Sequence, residues 1–198
     1  MNRVRGLILL FFLVSILPAA GLQGWEYSEP LIIDHTCTDL TSIPADWIDS
    51  VKTFMDLHYG HTSHGSQLTY GVEYIEGNNS FYDVSIGDRY LPVDPNAFCI
   101  FNGQETLTYI EPQHYWETED GMNMTRSSLR NNPQVKVSMF AWCTQLSSAT
   151  EGYVQAYLDS MTQLESEFPD VVFVYMTGNA QSAGAAANRY ARNQQIRQ

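Results

Sequence analysis

The chain has 198 residues, of which 44% are hydrophobic, and this is enough for one domain with a sizeable core. Its 22 acidic and 10 basic residues give a formal net charge of −12. So acidic a chain repels the phosphates of nucleic acids and the headgroups of anionic membranes. Charge therefore argues against a nucleic-acid-binding protein, and we expect no nucleic acid among the partners.

The N-terminus has the pattern of a secretory signal peptide. Two arginines precede the apolar run Leu7–Leu17, and a proline and small residues follow up to Gly21. This run is too short to cross a bilayer comfortably, which favours a cleaved signal over an N-terminal anchor. We predict a signal peptide at 1–21, a single domain at 22–198, and a secreted protein, extracellular or periplasmic, with no membrane association after cleavage.

The cysteines are Cys37, Cys99 and Cys143. Export permits disulfides, but an odd number leaves at least one thiol free or paired outside this chain. The sequence does not determine which thiols pair.

Strand and helix patterns alternate along the chain. In chain order they predict a strand at 29–34, a helix at 43–54, a strand at 54–60, a helix at 67–77, a long structured excursion at 77–115, the tail of a helix at 125–133, a strand at 135–143, a helix at 147–169, a strand at 170–179 and a helix from 185 onwards. The nearly continuous apolar run in 170–179 predicts a strand buried on both faces.

This alternation predicts an α/β fold of three layers, α/β/α, with a mostly parallel sheet as in flavodoxin-like proteins. The last predicted helix reaches Gln198 without a cap or a closing strand. We therefore expect the domain to lack its C-terminal part in this chain.

The most informative segment is HYGHTSHGSQLTYG, residues 58–71, at the end of a predicted strand. A serine at the mouth of a helix is well placed for catalysis, because backbone N–H groups there can stabilise an oxyanion. Gly60 and Gly65 allow a tight turn and leave room for a substrate. We select Ser63 as the candidate nucleophile and keep Ser66 as its competitor.

Three histidines, His58, His61 and His64, recur at every third position of this segment. Zinc needs three or four converging ligands, and the sequence adds no HExxH motif or paired carboxylates. We therefore predict no metal and no other cofactor, with His61 and His64 lining the pocket. A metal-dependent hydrolase that uses the three histidines is the alternative.

Two later segments lie at predicted strand ends, and so at the same edge of a parallel sheet as the first. YMTGN ends the last predicted strand with Gly178 and Asn179, and an asparagine side chain can donate to a developing oxyanion. WCTQ, from Trp142 to Gln145, ends the strand before it.

Together, the segments GHTSHGSQ and TGNA resemble the sequence blocks of SGNH (GDSL-type) hydrolases. With IDHTCTDLTSIPADWI and MFAWCTQLS, the chain resembles more closely a group of secreted, mostly uncharacterised bacterial proteins of SGNH-like fold, over residues 31–198. The resemblance implies Ser63 as nucleophile, Asn179 as oxyanion donor, and a catalytic histidine in an Asp-x-x-His motif after Asn179. The second sequence block of the family contains a glycine at a strand end. In this chain the segment from Trp142 to Gln145 occupies the corresponding strand end.

The chain departs from this pattern at several positions. His61 and Thr62 replace the Gly-Asp that precedes the family's serine, Ala180 replaces an aspartate, and no Asp-x-x-His follows before Gln198. A serine without a base is a poor nucleophile, so we expect this chain alone to be nearly inactive.

The resemblance implies a secreted serine esterase whose substrate is a small-molecule or polysaccharide ester, with acetyl groups on carbohydrate as one candidate. The alternative on the same fold is a carbohydrate-binding protein without catalysis. Its stacking surfaces would come from aromatic residues near the segments above, namely Tyr59, Tyr70, Tyr74, Tyr115 and Trp116.

Overall fold

The structure is a computed structural model that describes residues 31–180 and 186–198. The predicted signal peptide at 1–21 lies outside these residues. In the described part, no helix is both long enough and apolar enough to cross a membrane. Residues 31–34 form no strand, so the strand predicted at 29–34 is wrong over its described part. Leu31 and Ile33 are exposed, and no strand within 31–180 or 186–198 pairs with this apolar run.

Five helices and five strands make up the described fold, together with short 3₁₀ turns. In chain order they are α1 (Ala45–Phe54), β1 (Asp56–His61), α2 (Ser66–Asn78), β2 (Val84–Asp88), β3 (Phe98–Asn102), α3 (Glu119–Asn131), β4 (Val135–Ala141), α4 (Glu151–Glu167), β5 (Val172–Val174) and α5 (Ala186–Arg197).

All five strands are parallel and lie in the order β2-β3-β1-β4-β5. The central strand β1 pairs with β3 on one side and with β4 on the other; Leu57, for example, lies between Ile100 and Val137. Helices cover both faces of the sheet. The architecture is the predicted three-layer α/β fold and is consistent with a flavodoxin-like arrangement.

Each face of the sheet has its own apolar core. The smaller core contains Leu57, Tyr59 and Ile100 from the strands and lies beneath α2. The larger core lies beneath α3 and α4, and its centre is a cluster of aromatic rings that includes Trp116, Trp142 and Tyr157. Successive residues of β1 point to opposite faces, so neighbouring side chains of this strand enter different cores.

Most predicted elements are confirmed. They are α1, β1 and α2 in the first half of the chain and α3, β4 and α4 in the second half. Thr150 caps α4 by accepting a hydrogen bond from the N–H of Tyr153. The excursion predicted at 77–115 instead contains two strands, β2 and β3.

The strand predicted at 170–179 is shorter and differently placed than expected. Only Val172–Val174 is a strand, and it forms one edge of the described sheet. Val172 is 59% exposed and Val174 37% exposed. The prediction of a strand buried on both faces is therefore wrong, because an edge strand without a full helical cover leaves alternate side chains in solvent.

Candidate active site

The strand order predicts a crevice at the carboxyl ends of β1 and β4. The chain leaves β1 toward β2 at one edge of the sheet, whereas it leaves β4 toward β5 at the other edge. Connections that diverge from adjacent parallel strands leave a crevice between them, and ligands of open α/β sheets bind at such points. The candidate site is therefore the loop after β1 and the loop after β4.

These two loops bring a histidine, a serine and a cysteine together. His64 Nδ1 lies 2.8 Å from the Sγ atom of Cys143, and the Oγ atom of Ser63 lies 3.7 Å from the same sulfur. Ser63 and His64 belong to the 3₁₀ turn that leads into α2, and Cys143 lies two residues after the end of β4. The pairing of a thiol with an imidazole is the most chemically distinctive contact of the crevice.

The surroundings of Cys143 favour its thiolate form. Burial of the sulfur acts to raise its pKa, but the hydrogen bond with His64 and interactions with Thr62, Ser63 and the N–H of Thr144 act in the opposite direction. The second group of effects prevails and lowers the pKa of Cys143 from 9.0 to about 6. At pH 7 the thiolate, which is the nucleophilic form of cysteine, then predominates.

The site is partly open to solvent. Cys143 itself is 8% exposed, but His64 is half-buried and Ser63 is exposed. The N–H of Cys143 donates to Gln145 Oε1 at 2.8 Å, so the side-chain carbonyl of Gln145 is engaged with the backbone at Cys143. Among the described residues, the buried Thr62 Oγ1 has no hydrogen-bond partner. Its interaction with the neighbouring sulfur lowers the pKa of Cys143.

The three histidines of the predicted cluster have separate roles. His58 points into the larger core, where its ring nitrogens lie 2.8 Å from Ser138 Oγ and 3.0 Å from the carbonyl of Gly103. His61 contacts the Thr62 carbonyl and Asn102, and His64 contacts Cys143. Across residues 31–180 and 186–198, no group of three or more histidine, cysteine and acidic side chains has a geometry suited to a metal ion.

Gly65 and Ser66 shape the turn that holds Ser63 and His64. A Cβ atom at Gly65 would lie 2.2 Å from the Cβ of His61, so only glycine fits against that side chain. Ser66 Oγ donates to the carbonyl of Ser63 at 2.8 Å. Ser66 is thereby engaged in the local structure of the turn, whereas the hydroxyl of Ser63 faces the crevice sulfur.

Asn179 and Gly178 follow β5, one strand beyond β4. The side-chain amide of Asn179 donates to the carbonyl of Ala180 at 3.3 Å, and the N–H of Gly178 donates to Asn193 Oδ1 at 2.9 Å. The Oδ1 atom of Asn179 is buried without a hydrogen-bond partner among the described residues. The contacts described for Asn179 and Gly178 thus join them to their own loop and to α5, not to Ser63.

Trp142 is a core residue rather than part of the pocket. It is 2% exposed and packs edge-on against Phe140, Tyr153 and Tyr157. The aromatic residues proposed for sugar binding also divide: Tyr59, Tyr115 and Trp116 are buried, whereas Tyr70 and Tyr74 are exposed on α2.

Cys143 is the site residue that the sequence reasoning missed, although it lies between Trp142 and Gln145, which were both selected. The sequence signal for Cys143 is its position at a predicted strand end, together with a histidine-rich turn at a second strand end. A cysteine and a histidine that meet in the fold form a candidate catalytic pair. Cys37, Cys99 and Cys143 are all free thiols in the structure. Cys37 is exposed and Cys99 is buried, and neither pairs with Cys143.

Comparison of the chain with models of protein families, with curated proteins and with solved structures finds no match.

Proposed function

We propose that the protein hydrolyses or transfers acyl groups of esters or thioesters in the crevice between β1 and β4, with Cys143 as the nucleophile and His64 as its proton acceptor. The supporting observation is the 2.8 Å contact between His64 Nδ1 and Cys143 Sγ. A histidine within hydrogen-bonding reach of a thiol is the arrangement that activates a cysteine for nucleophilic catalysis. This contact supports the assignment of Cys143 as the nucleophile and His64 as the base.

The reaction follows from the chemistry of this pair. The proton of the Cys143 thiol passes to His64, and the thiolate attacks the carbonyl carbon, forming a C–S bond and a tetrahedral oxyanion. Collapse of the oxyanion breaks the bond to the leaving group, which takes the proton from His64. Water, deprotonated by His64, then attacks the thioester carbon and forms a second tetrahedral oxyanion. Its collapse breaks the C–S bond and releases the acid and the Cys143 thiolate, and the proton on His64 stays there or returns to the sulfur.

Donors for the oxyanion are available in the same turn. The N–H groups of Ser63 and His64 open a helical segment that continues into α2, and the first N–H groups of a helix have no carbonyl one turn earlier to bond. These two groups and the Ser63 hydroxyl are our candidates for oxyanion stabilisation. Removing one such donor typically slows an acyl transfer by about 100- to 1000-fold.

Activity measurements on single variants test the proposal. Cys143→Ala and His64→Ala should each lower kcat/KM for a chromogenic acetyl ester by at least about 100-fold, because each removes one half of the nucleophile–base pair. Mass spectrometry of a quenched reaction should find the acyl group on Cys143. The exposed thiol offers a matched control, and Cys37→Ser should leave turnover unchanged. Full turnover by Cys143→Ala would contradict the proposal.

A serine esterase of SGNH type is the second candidate, and the exposed Ser63 hydroxyl at the crevice supports it. It takes its base from a histidine that the family resemblance places after Asn179. In that case, Ser63→Ala should abolish hydrolysis while Cys143→Ala retains it, and the acyl group should appear on Ser63. For either nucleophile we propose an exported protein, on the basis of the N-terminal pattern, with small-molecule or polysaccharide esters as substrates, on the basis of the family resemblance.

A further inference from the structure

A chain of polar side chains crosses the ends of three adjacent strands. Asp88, Asn102 and His61 are the last residues of β2, β3 and β1. Asn102 Nδ2 donates to Asp88 Oδ1 at 2.7 Å, and His61 Nε2 lies 2.8 Å from Asn102 Oδ1. We call these three residues the edge relay. It runs along the carboxyl edge of the sheet and ends beside the candidate active site.

The chemistry of the relay fixes its direction. The amide of Asn102 must turn its N–H groups toward the carboxylate of Asp88, because the reverse orientation would place two acceptors against each other. Its carbonyl oxygen therefore faces His61, which donates from Nε2. The relay is thus ordered from a carboxylate at the edge strand β2 to an imidazole at the central strand β1.

The other nitrogen of His61 holds the turn that contains the proposed base. His61 Nδ1 lies 2.7 Å from the carbonyl oxygen of Thr62, and the same oxygen accepts the N–H of Gly65 at 2.9 Å. Since Nε2 and Nδ1 of His61 both face oxygen acceptors, the two hydrogen bonds together require a proton on each ring nitrogen. Thr62 and Gly65 bracket Ser63 and His64. Because Gly65 has no side chain, the His61 side chain can pack directly against the turn and limit its movement.

We propose that Asp88, Asn102 and His61 are positioning residues that keep His64 within hydrogen-bonding distance of Cys143. None of the three contacts the sulfur, so they act through the carbonyl of Thr62 and the turn that it closes. The role in catalysis rests on the proposed function, whereas the role in holding the two side chains together does not. His61 is buried, Asn102 is half-buried and Asp88 is exposed. Hydrogen bonds from such supporting side chains are a usual means of keeping the geometry of a reactive group within narrow limits.

The test measures the reactivity of Cys143 directly. The rate at which iodoacetamide alkylates Cys143 is followed by peptide mass spectrometry as a function of pH, because only the thiolate reacts. The groups that face the sulfur are His64, Ser63, Thr62 and the N–H of Thr144. The midpoint of the pH profile therefore depends on how the turn positions the first three of them relative to the sulfur. The wild-type profile should have its midpoint near pH 6.

Breaking the relay should move this midpoint upward. In Asn102→Ala, loss of the link to His61 should shift it toward the value of about 8.5 that is ordinary for cysteine, and alkylation at pH 6.5 should slow about tenfold. Asp88→Asn, which preserves the size of the side chain, should shift it less and in the same direction. Asn131→Ala is the matched control, because Asn131 ends α3 and bonds to Glu105 and Ser127 instead.

The outcomes separate this inference from the proposed function. An unchanged midpoint in a folded Asn102→Ala protein, as judged by circular dichroism, would overturn the inference even if Cys143 proves to be the nucleophile. If Asn102→Ala does not fold, an unchanged midpoint in Asp88→Asn would overturn it. A shifted midpoint in variants of a protein that hydrolyses no ester would uphold the positioning role and reject the proposed function.

Discussion

At the scale of single residues, three buried polar side chains beneath β1 form a connected series of hydrogen bonds. Tyr115 donates to Ser138 Oγ, Ser138 donates to His58 Nδ1, and His58 Nε2 donates to the carbonyl of Gly103. Tyr115, Ser138 and His58 are fully buried. Each of these three donors has an acceptor, and this arrangement requires the tautomer of His58 that is protonated on Nε2.

Ser138 is central to this series, because its hydroxyl accepts a hydrogen bond from Tyr115 and donates one to His58. Ser138→Ala should lower the free energy of unfolding by about 2–4 kcal/mol, since it leaves both Tyr115 and His58 with an unsatisfied buried group. Urea unfolding measures the change. Ser166→Ala, at an exposed position on α4, should change stability by less than about 0.5 kcal/mol. A loss below about 1 kcal/mol in Ser138→Ala would show that water or a shifted side chain replaces the hydroxyl.

At the scale of secondary-structure elements, one arginine joins α3 to the end of α4. Arg126 makes two hydrogen bonds to Glu167, at 2.7 and 2.9 Å, and a third at 2.7 Å to Glu119 in its own helix. The Arg126 side chain is 8% exposed, whereas Glu167 is 28% and Glu119 74% exposed. The bidentate and less exposed pair should contribute more to stability than the exposed one.

The two carboxylates therefore provide a matched comparison around a single arginine. Glu167→Gln should destabilise the protein by about 1–2 kcal/mol, because it removes the partner of a largely buried charge. Glu119→Gln should cost about 0.5 kcal/mol or less, since solvent already screens that contact. Thermal unfolding of both variants measures the difference. Equal losses would mean that the bidentate geometry adds nothing beyond charge.

The helices were the elements that sequence predicted best. In α4 the apolar residues recur with the helical period, Thr150 supplies a capping hydroxyl, and a proline follows the last turn. Each of these signals is local, so the helix and its buried face could be predicted without knowledge of its neighbours. The same holds for α2 after the turn at Ser63.

The strands depend on their neighbours and were predicted less well. β2 is only five residues long and contains Gly87, and its segment is bordered by turn formers, so no clear period of two marks it. β5 had the strongest apolar run, yet it lies at an edge of the described sheet. Burial of a strand depends on its place in the sheet order, and a local pattern does not contain that order.

The candidate site shows the same division. The turn that holds Ser63 and His64 was identified from local signals, namely a strand end, glycines and polar residues. The partner Cys143 lies 79 residues from His64 in sequence, and the two meet only because β1 and β4 are adjacent. Sequence could place each loop at the carboxyl edge, but it could not show which two loops face each other.

At the scale of the whole molecule, pH acts on stability in two opposing ways. The formal net charge is −12 with the five histidines neutral, so the uptake of protons as the pH falls reduces the repulsion between like charges. His58 acts in the other direction. Its burial lowers its pKa from 6.5 to about 4, although the hydrogen bond to Gly103 partly opposes this shift.

The sign for His58 follows from proton uptake. Between pH 6.5 and pH 4 the unfolded chain binds a proton at this histidine and the folded protein does not, so lowering the pH favours unfolding. The stabilisation is present in full above the unfolded pKa and is lost as the pH falls toward the folded one. For these two values, the loss between pH 7 and pH 5 is about 2 kcal/mol.

A histidine variant separates this effect from the general charge. His58→Gln retains an amide that can donate to the Gly103 carbonyl but has no group that titrates, so it should be less stable than wild type at pH 7. Its free energy of unfolding in urea should then fall by about 2 kcal/mol less than that of wild type between pH 7 and pH 5. His35→Gln, at an exposed position, should follow the wild-type dependence. Because the relief of repulsion is nearly the same in all three proteins, parallel curves for wild type and His58→Gln would show that His58 is not neutral in the fold.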